Sequence, residues 1–184
     1  DRALRMHLNL VERADLEEDK KQQALFELAQ DYLKAGILDR AEELFLDLQK
    51  TAYAKPALDF LLEIYQKEHD WLKAIDITQR LTKVSGEPHH KEAAFFYCEL
   101  AAAEMARGQQ EAAHVHLGQA LEANPQSVRA SIMLGDMENA AGRRDAAIAT
   151  WQRVEQQDAQ YLPLVAERLF TAYQQGGRGD EGIN

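Results

Sequence analysis

A small residue returns in register along this chain: Ala3, Ala41, Ala74, Ala113 and Ala147, at steps of 38, 33, 39 and 34 residues. Each sits in a helical pattern, with an apolar residue seven positions on in every copy. In most copies there is another four positions on, as with Phe45, Leu117 and Trp151. A period of that length belongs to a helical hairpin, a unit that cannot bury its own apolar face and must stack on its neighbours. The spacing therefore selects a stack of helical hairpins over a globular domain built around a buried catalytic centre. It favours a scaffold before any single side chain is weighed.

The unit at 21–53 shows the pattern most clearly. Leu25, Leu28, Ala29 and Tyr32 fall on one helical face, the i, i+3, i+4, i+7 stripe of a helix that faces a core. Gly36 is placed to end that helix. Asp39 is placed to cap the next, whose stripe is Ala41, Leu44, Phe45 and Leu48. The unit at 54–90 repeats this with Leu58, Leu61, Leu62 and Tyr65, a turn at His69-Asp70, and then Ala74, Ile77 and Leu81. Residues 84–90, with Ser85, Gly86 and Pro88, read as a long loop that accounts for the step of 39. The unit at 91–125 carries Tyr97, Leu100, Ala101, a turn at Gly108, then Ala113, Leu117 and Ala120. The unit at 126–160 carries Leu134-Gly135, a turn at Gly142, then Ala147, Trp151 and Val154. Residues 1–20 read as the second helix of a truncated repeat. Residues 161–184, with Leu169, Phe170 and Tyr173 before Gly176-Gly177, read as the first helix of another. The expectation is one array over 1–184.

Ala, Leu, Glu and Gln dominate, and only four of the 184 residues are Pro, a composition that loses little rotamer freedom in helices. No apolar run approaches the ~18–20 uncharged residues of a membrane helix. The chain opens at Asp1 without Met or a signal-like segment, and both ends fall within a repeat. The expectation is a piece of a longer array, with any anchor outside it. With 21 Lys and Arg against 31 Asp and Glu, the net charge is −10. Such a field repels phosphate backbones, and no basic stripe offsets it, so nucleic acid is not an expected partner. The single Cys98 has no internal disulfide partner, which suits a reducing compartment.

These residues resemble the tetratricopeptide repeat, whose pattern is a bulky residue, Leu-Gly, Tyr, then Ala, Phe and Pro at fixed offsets. Leu28-Ala29 with Tyr32, Ala41 and Phe45 match it, as do Leu134-Gly135 with Ala147, while Glu104 and Glu138 stand where the Tyr is expected. The resemblance covers nearly the whole chain. It implies an all-α solenoid of antiparallel hairpins wound as a right-handed superhelix, with Ala or Gly letting helices cross ~8–10 Å apart. Several stretches go beyond the generic repeat: 28–32 with 39–42, 61–66 with 71–76, 96–101, and 128–133. In this order, with the loop at Pro88, they are similar to the lipopolysaccharide assembly protein B family of Gram-negative bacteria. That resemblance implies a parent with an N-terminal membrane helix, cytoplasmic repeats and a C-terminal rubredoxin-like metal ribbon. It also implies an adaptor that works with the membrane protease FtsH to degrade LpxC, the deacetylase that commits material to lipid A. Neither the membrane helix nor the paired cysteines of the ribbon occur in this chain, so no cofactor or metal ligand is carried over to it.

The search for a chemical site among the residues is mostly negative. Cys98 lies on a first helix with no neighbour that would activate it, and reads as a packed or groove-lining thiol. His114 and His116 stand two apart on a helix, about 200° around it, and cannot easily share an ion. His89-His90 read as loop residues, and Arg178-Gly179-Asp180 as chance in a Gly-rich tail. No catalytic residue is assigned.

The affirmative candidate is a surface. First helices line the concave groove of a tetratricopeptide array, so the resemblance places partner-binding positions at Phe26, Gln30, Lys34, Asp59, Glu63, Lys67, Phe95, Cys98, Met105, Arg129, Asp136 and Asn139. The Lys-and-Asn clamp that some relatives use on a peptide carboxylate is replaced by Phe26 with Gln30 and Asp59 with Glu63. An acidic second unit beside an apolar third suits a segment with basic residues and a large apolar anchor. In the competing reading Phe95, Cys98 and Met105 pack against a neighbouring hairpin. The function that follows is a non-enzymatic protein scaffold on the cytoplasmic face of the inner membrane, binding FtsH or LpxC. The alternative is a tetratricopeptide scaffold or chaperone of another assembly system, periplasmic or in pilus biogenesis.

Overall fold

Apolar stripes at intervals of three and four residues produce helices throughout. The computed structural model describes residues 2–13 and 15–176, apart from the side chain of Ala3. Asp1, Gly177 and the Arg178-Gly179-Asp180 tripeptide lie outside the described residues. Among the described residues the first five helices are α1 (Arg2–Val11), α2 (Glu18–Lys34), α3 (Leu38–Asp47, running into a 3-10 turn at Leu48–Lys50), α4 (Ala54–Glu68) and α5 (Trp71–Ser85). The next five are α6 (His90–Ala106), α7 (Gln110–Ala123), α8 (Val128–Ala140), α9 (Arg144–Gln157) and α10 (Leu162–Gln175), with a 3-10 turn at Ala159–Tyr161 before α10. Contacts divide the chain into two compact units, with the boundary between His89 and His90.

Within each unit every helix packs on the next in sequence, α1 through α5 in the first and α6 through α10 in the second. The recurring small residue sits at the crossings: Ala41, Ala74, Ala113 and Ala147 are all fully buried. The turns between paired helices need left-handed backbone, and Gly supplies it at Gly36, Gly108 and Gly142, with φ between 75° and 78°. His69 occupies the equivalent turn with φ 56°, and its ring stacks on Trp71 at 5.1 Å. Asp70 then caps α5 by accepting from the Lys73 backbone N–H. Pro163 falls in the first turn of α10, where its missing N–H has no intrahelical partner to lose.

Two local expectations change. Asp39 does not cap α3: the helix begins at Leu38 behind Ile37, which makes no side-chain cap bond, so the Asp39 carboxylate acts on the helix dipole from inside the first turn. The long loop at 84–90 shrinks to 86–89, because α5 continues through Ser85 and α6 begins at His90. Ser85 makes this possible. Its hydroxyl donates to the Leu81 carbonyl at 2.8 Å and accepts from the Glu87 N–H at 3.0 Å, while Gly86 takes φ 74°.

How closely the paired helices cross is set by two positions sixteen residues apart. In the second unit Gly135 faces Trp151, and a Cβ built on Gly135 would stand 2.3 Å from the indole nitrogen. The same register carries Ala101 with Leu117 in one buried cluster, and, in the first unit, Ala29 with Phe45 and Leu62 with Thr78. Where one partner grows the other shrinks, so each hairpin keeps a tightly filled crossing. Trp151 is 1% exposed and its indole N–H finds no acceptor, so it contributes through bulk alone. Gly135→Ala is expected to destabilise the second unit by about 2 kcal/mol through overpacking. Combining it with Trp151→Leu recreates the Ala101–Leu117 pairing. The double variant should then be markedly more stable in urea or thermal unfolding than the two single losses summed. Simple additivity would disprove the matching of volumes.

Candidate functional site

The first-helix positions fall into two groups, one on each unit. In the first unit Phe26, from the middle of α2, is half-buried in an aromatic cluster, with ring centroids 5.9 Å from Phe45, 5.0 Å from Tyr53 and 5.8 Å from Phe60. Phe45 and Phe60 stack at 5.1 Å beneath it. The ring is thus a half-buried part of this aromatic cluster. Gln30, one turn on, is half-buried, and Lys34 is exposed at the last turn of α2. On α4, Asp59 is paired with Lys55 at 3.0 Å and Glu63 with Lys67 at 2.7 Å. The acidic repeat at 54–90 read from the sequence is therefore a face on which each of these carboxylates has its own lysine. All four side chains are about half exposed, so each pair contributes only ~0.3–0.5 kcal/mol.

In the second unit the positions separate by burial. Phe95 is 46% exposed, with the Arg129 guanidinium 5.4 Å from its ring centroid, a cation–π arrangement. Arg129 also donates to Glu99 at 2.5 Å. Cys98 does not line the surface. It is fully buried in the core cluster of α6, α7 and α8, and burial pushes its thiol pKa up despite the opposing charge of Arg129. It is a packing residue and a poor nucleophile. Met105 is half-buried against the same cluster. Asp136 receives two bonds from Arg168, at 2.7 and 3.2 Å, and Asn139 is exposed one turn on. Together with Trp151, Thr171 and Gln175, these α8 and α10 residues line a cavity of about 550 Å³.

Sequence reading missed the partners of these groups. Glu99–Arg129 and Arg168–Asp136 join first helices of consecutive repeats. The signal was opposite charge about one period apart. Glu104 and Glu138 do depart from the repeat pattern, but nothing in the sequence signals what they contact. Both are buried and both are paired. His116 donates to Glu104 at 2.7 Å, His114 donates to Glu138 at 2.6 Å, and Arg143 donates to the other Glu138 oxygen. In the first unit, Tyr65 at the same repeat position donates its hydroxyl to Glu42 at 2.7 Å, alongside Lys73 at 3.0 Å. Glu42 follows Ala41 as His114 follows Ala113. The contact is the same with donor and acceptor exchanged.

Two of these carboxylates, Glu138 and Glu42, carry a pH signature. Burial, the largest single influence, pushes Glu138 up. Hydrogen bonds and charge from Arg143 and His114 outweigh it, so the net pKa lies below the ordinary 4.5. Glu42 is lowered in the same way by Tyr65 and Lys73, while burial and Glu42 push the Tyr65 phenol up. A depressed carboxylate stabilises the fold above its unfolded-state pKa and loses that contribution as pH falls through the folded value. Glu138→Gln is expected to cost about 1 kcal/mol at neutral pH. Below about pH 4.5 its stability should converge on that of the wild type. Denaturant midpoints across this range check both.

Among the described residues no cluster of His, Cys, Asp or Glu is arranged to hold a metal ion, and no helix is long and apolar enough to cross a membrane. The tetratricopeptide repeat family model matches residues 104–168. Lipopolysaccharide assembly protein B of Escherichia coli strain K12 is 40% identical over 182 residues, 98% of this chain and 47% of that protein. Its counterpart in Haemophilus influenzae is 32% identical over 176 residues, 95% of this chain and 44% of that protein. The chain thus spans about half the length of the curated relatives it matches. A crystal structure of MamA matches with a TM-score of 0.51 at 18% identity, covering 88% of this chain and 86% of the other. That likeness is one of fold. Repeating crossings, the family-model match over 104–168 and alignment of nearly the whole chain with these relatives agree: the chain has the tetratricopeptide repeat fold and is similar to about half of lipopolysaccharide assembly protein B.

Proposed function

We propose that this chain is the repeat region of an adaptor resembling lipopolysaccharide assembly protein B, holding LpxC or FtsH so that the protease meets its substrate. The observation that carries this is 40% identity sustained over 98% of the chain, which reaches well beyond the few positions a repeat motif fixes. A scaffold of this kind needs no chemistry of its own. Bringing two proteins into one assembly raises their effective concentration toward the millimolar range for a short flexible connection.

The first-helix faces supply the contact in this reading. Phe26, Gln30, Lys34, Asp59, Glu63 and Lys67 serve on the first unit. Phe95, Arg129, Asp136 and Asn139 serve on the second, with Met105 contributing its half-buried edge. The scaffold acts at the cytoplasmic face of the inner membrane, held there by a segment that is not part of this chain.

The test is LpxC turnover in bacteria lacking their own adaptor. A fusion of this chain to a single membrane helix should shorten the LpxC half-life at least severalfold. Purified chain should also retain LpxC or the soluble part of FtsH on a column. A folded, membrane-bound fusion that leaves LpxC stable would overturn the proposal, and the alternative assembly-system scaffold would then be preferred.

A further inference from the structure

The start of α8, the end of α9 and the start of α10 enclose a cavity of about 490 Å³ within the second unit. That size lies in the range of pockets that hold ligands or anchor side chains. Val128, Ile132 and Met133 line it from successive turns of α8, and Tyr161 and Leu164 from the other side. Tyr161 and Leu164 remain 41% and 53% exposed. Arg129 lies over the ring of Phe95, 5.4 Å from its centroid.

Two charged residues line the cavity, and they differ. Arg129 is already matched by Glu99 at 2.5 Å. Asp158 accepts from the Gln160 backbone N–H at 3.1 Å and from the Gln160 side-chain amide at 2.5 Å, both neutral donors. Among the described residues it meets no cation. The cavity therefore offers an apolar floor and one uncompensated negative charge, in a chain of net charge −10. Fixed charge beside an apolar pocket selects by complementarity, and a pocket-filling apolar anchor is where binding energy concentrates.

We infer that this cavity receives one bulky apolar side chain, Phe or Leu, from a partner polypeptide that carries a Lys or Arg within one helical turn of that anchor. The inference rests on the reading of the chain as a protein-binding scaffold, and it moves the acidic selectivity from Asp59 and Glu63 to Asp158. The anchor displaces water from Ile132 and Leu164 while the cation reaches the Asp158 carboxylate.

Three short helical peptides with blocked ends test it. Each carries one Phe, with Arg, Gln or Glu four positions on, and binding to the whole chain is followed by fluorescence anisotropy. The Arg peptide should bind about threefold more tightly than the Gln peptide, and the Glu peptide correspondingly more weakly, as expected of a partly exposed ion pair. Asp158→Asn keeps an acceptor for Gln160 and should abolish that ranking. Leu164→Ser should weaken all three peptides by about tenfold with an unchanged melting temperature. Equal binding of the three peptides, a ranking that survives Asp158→Asn, or no binding would each overturn the inference. The readout is separate from LpxC turnover. A chain that binds these peptides but leaves LpxC stable overturns the adaptor reading alone, and one that turns LpxC over without binding them overturns only the pocket.

Discussion

The crossing of two helices over a buried alanine is the contact on which the rest of this molecule depends. Ala41, Ala74, Ala113 and Ala147 have no exposed surface, and the pair of positions sixteen residues apart sets how tightly the two backbones can close. Gly135 against the Trp151 indole is the extreme case. Because interiors tolerate neither voids nor overlap, the crossing fixes which face of each first helix turns inward and which remains for a partner. Cys98 and Phe95 lie three residues apart on α6, yet one is sealed and the other half open.

Polar contacts refine this frame without creating it. Glu99 with Arg129 and Asp136 with Arg168 tie neighbouring first helices at their exposed edges, where each pair is worth little. Their larger effect is on what the surface can recognise. Charges that satisfy each other offer a partner little, as do Lys55 with Asp59 and Lys67 with Glu63. Beside the start of α10, the apolar patch near Tyr161 and Leu164 and the charge of Asp158 are not matched in this way.

Much of the fold was legible because its signals are local and repeated. The alanine steps gave the hairpins, and Gly36, Gly108 and Gly142 gave the turns through the backbone geometry only glycine adopts freely. Errors came where local signals compete. Ser85 and Gly86 looked like the start of a loop, but the Ser85 hydroxyl bonds back to Leu81 and extends the helix. On α6 the run Ala93-Ala94-Phe95-Phe96-Tyr97-Cys98 is apolar nearly all round, so periodicity could not say which side faces the core, and Cys98 was placed outside. Glu104 and Glu138 were legible only as exceptions, because their histidine partners lie on other helices, 12 and 24 residues away. The pocket at α8, α9 and α10 depends on a 3-10 turn and on three-dimensional closure, for which no linear pattern exists.

The exchange of donor and acceptor between Glu42–Tyr65 and His114–Glu138 has a consequence for how such an array can evolve. These two junctions therefore carry opposite polarity, and each is complementary as it stands. A hairpin ending in the Glu42 type, set against one beginning in the Glu138 type, would bury two carboxylates together. The opposite exchange would set the Tyr65 phenol beside the His114 imidazole, replacing a charge-assisted bond to a carboxylate by a weaker neutral one. At these two junctions, hairpins that look interchangeable by their apolar residues are therefore keyed to their neighbours through the one carboxylate that each pair shares.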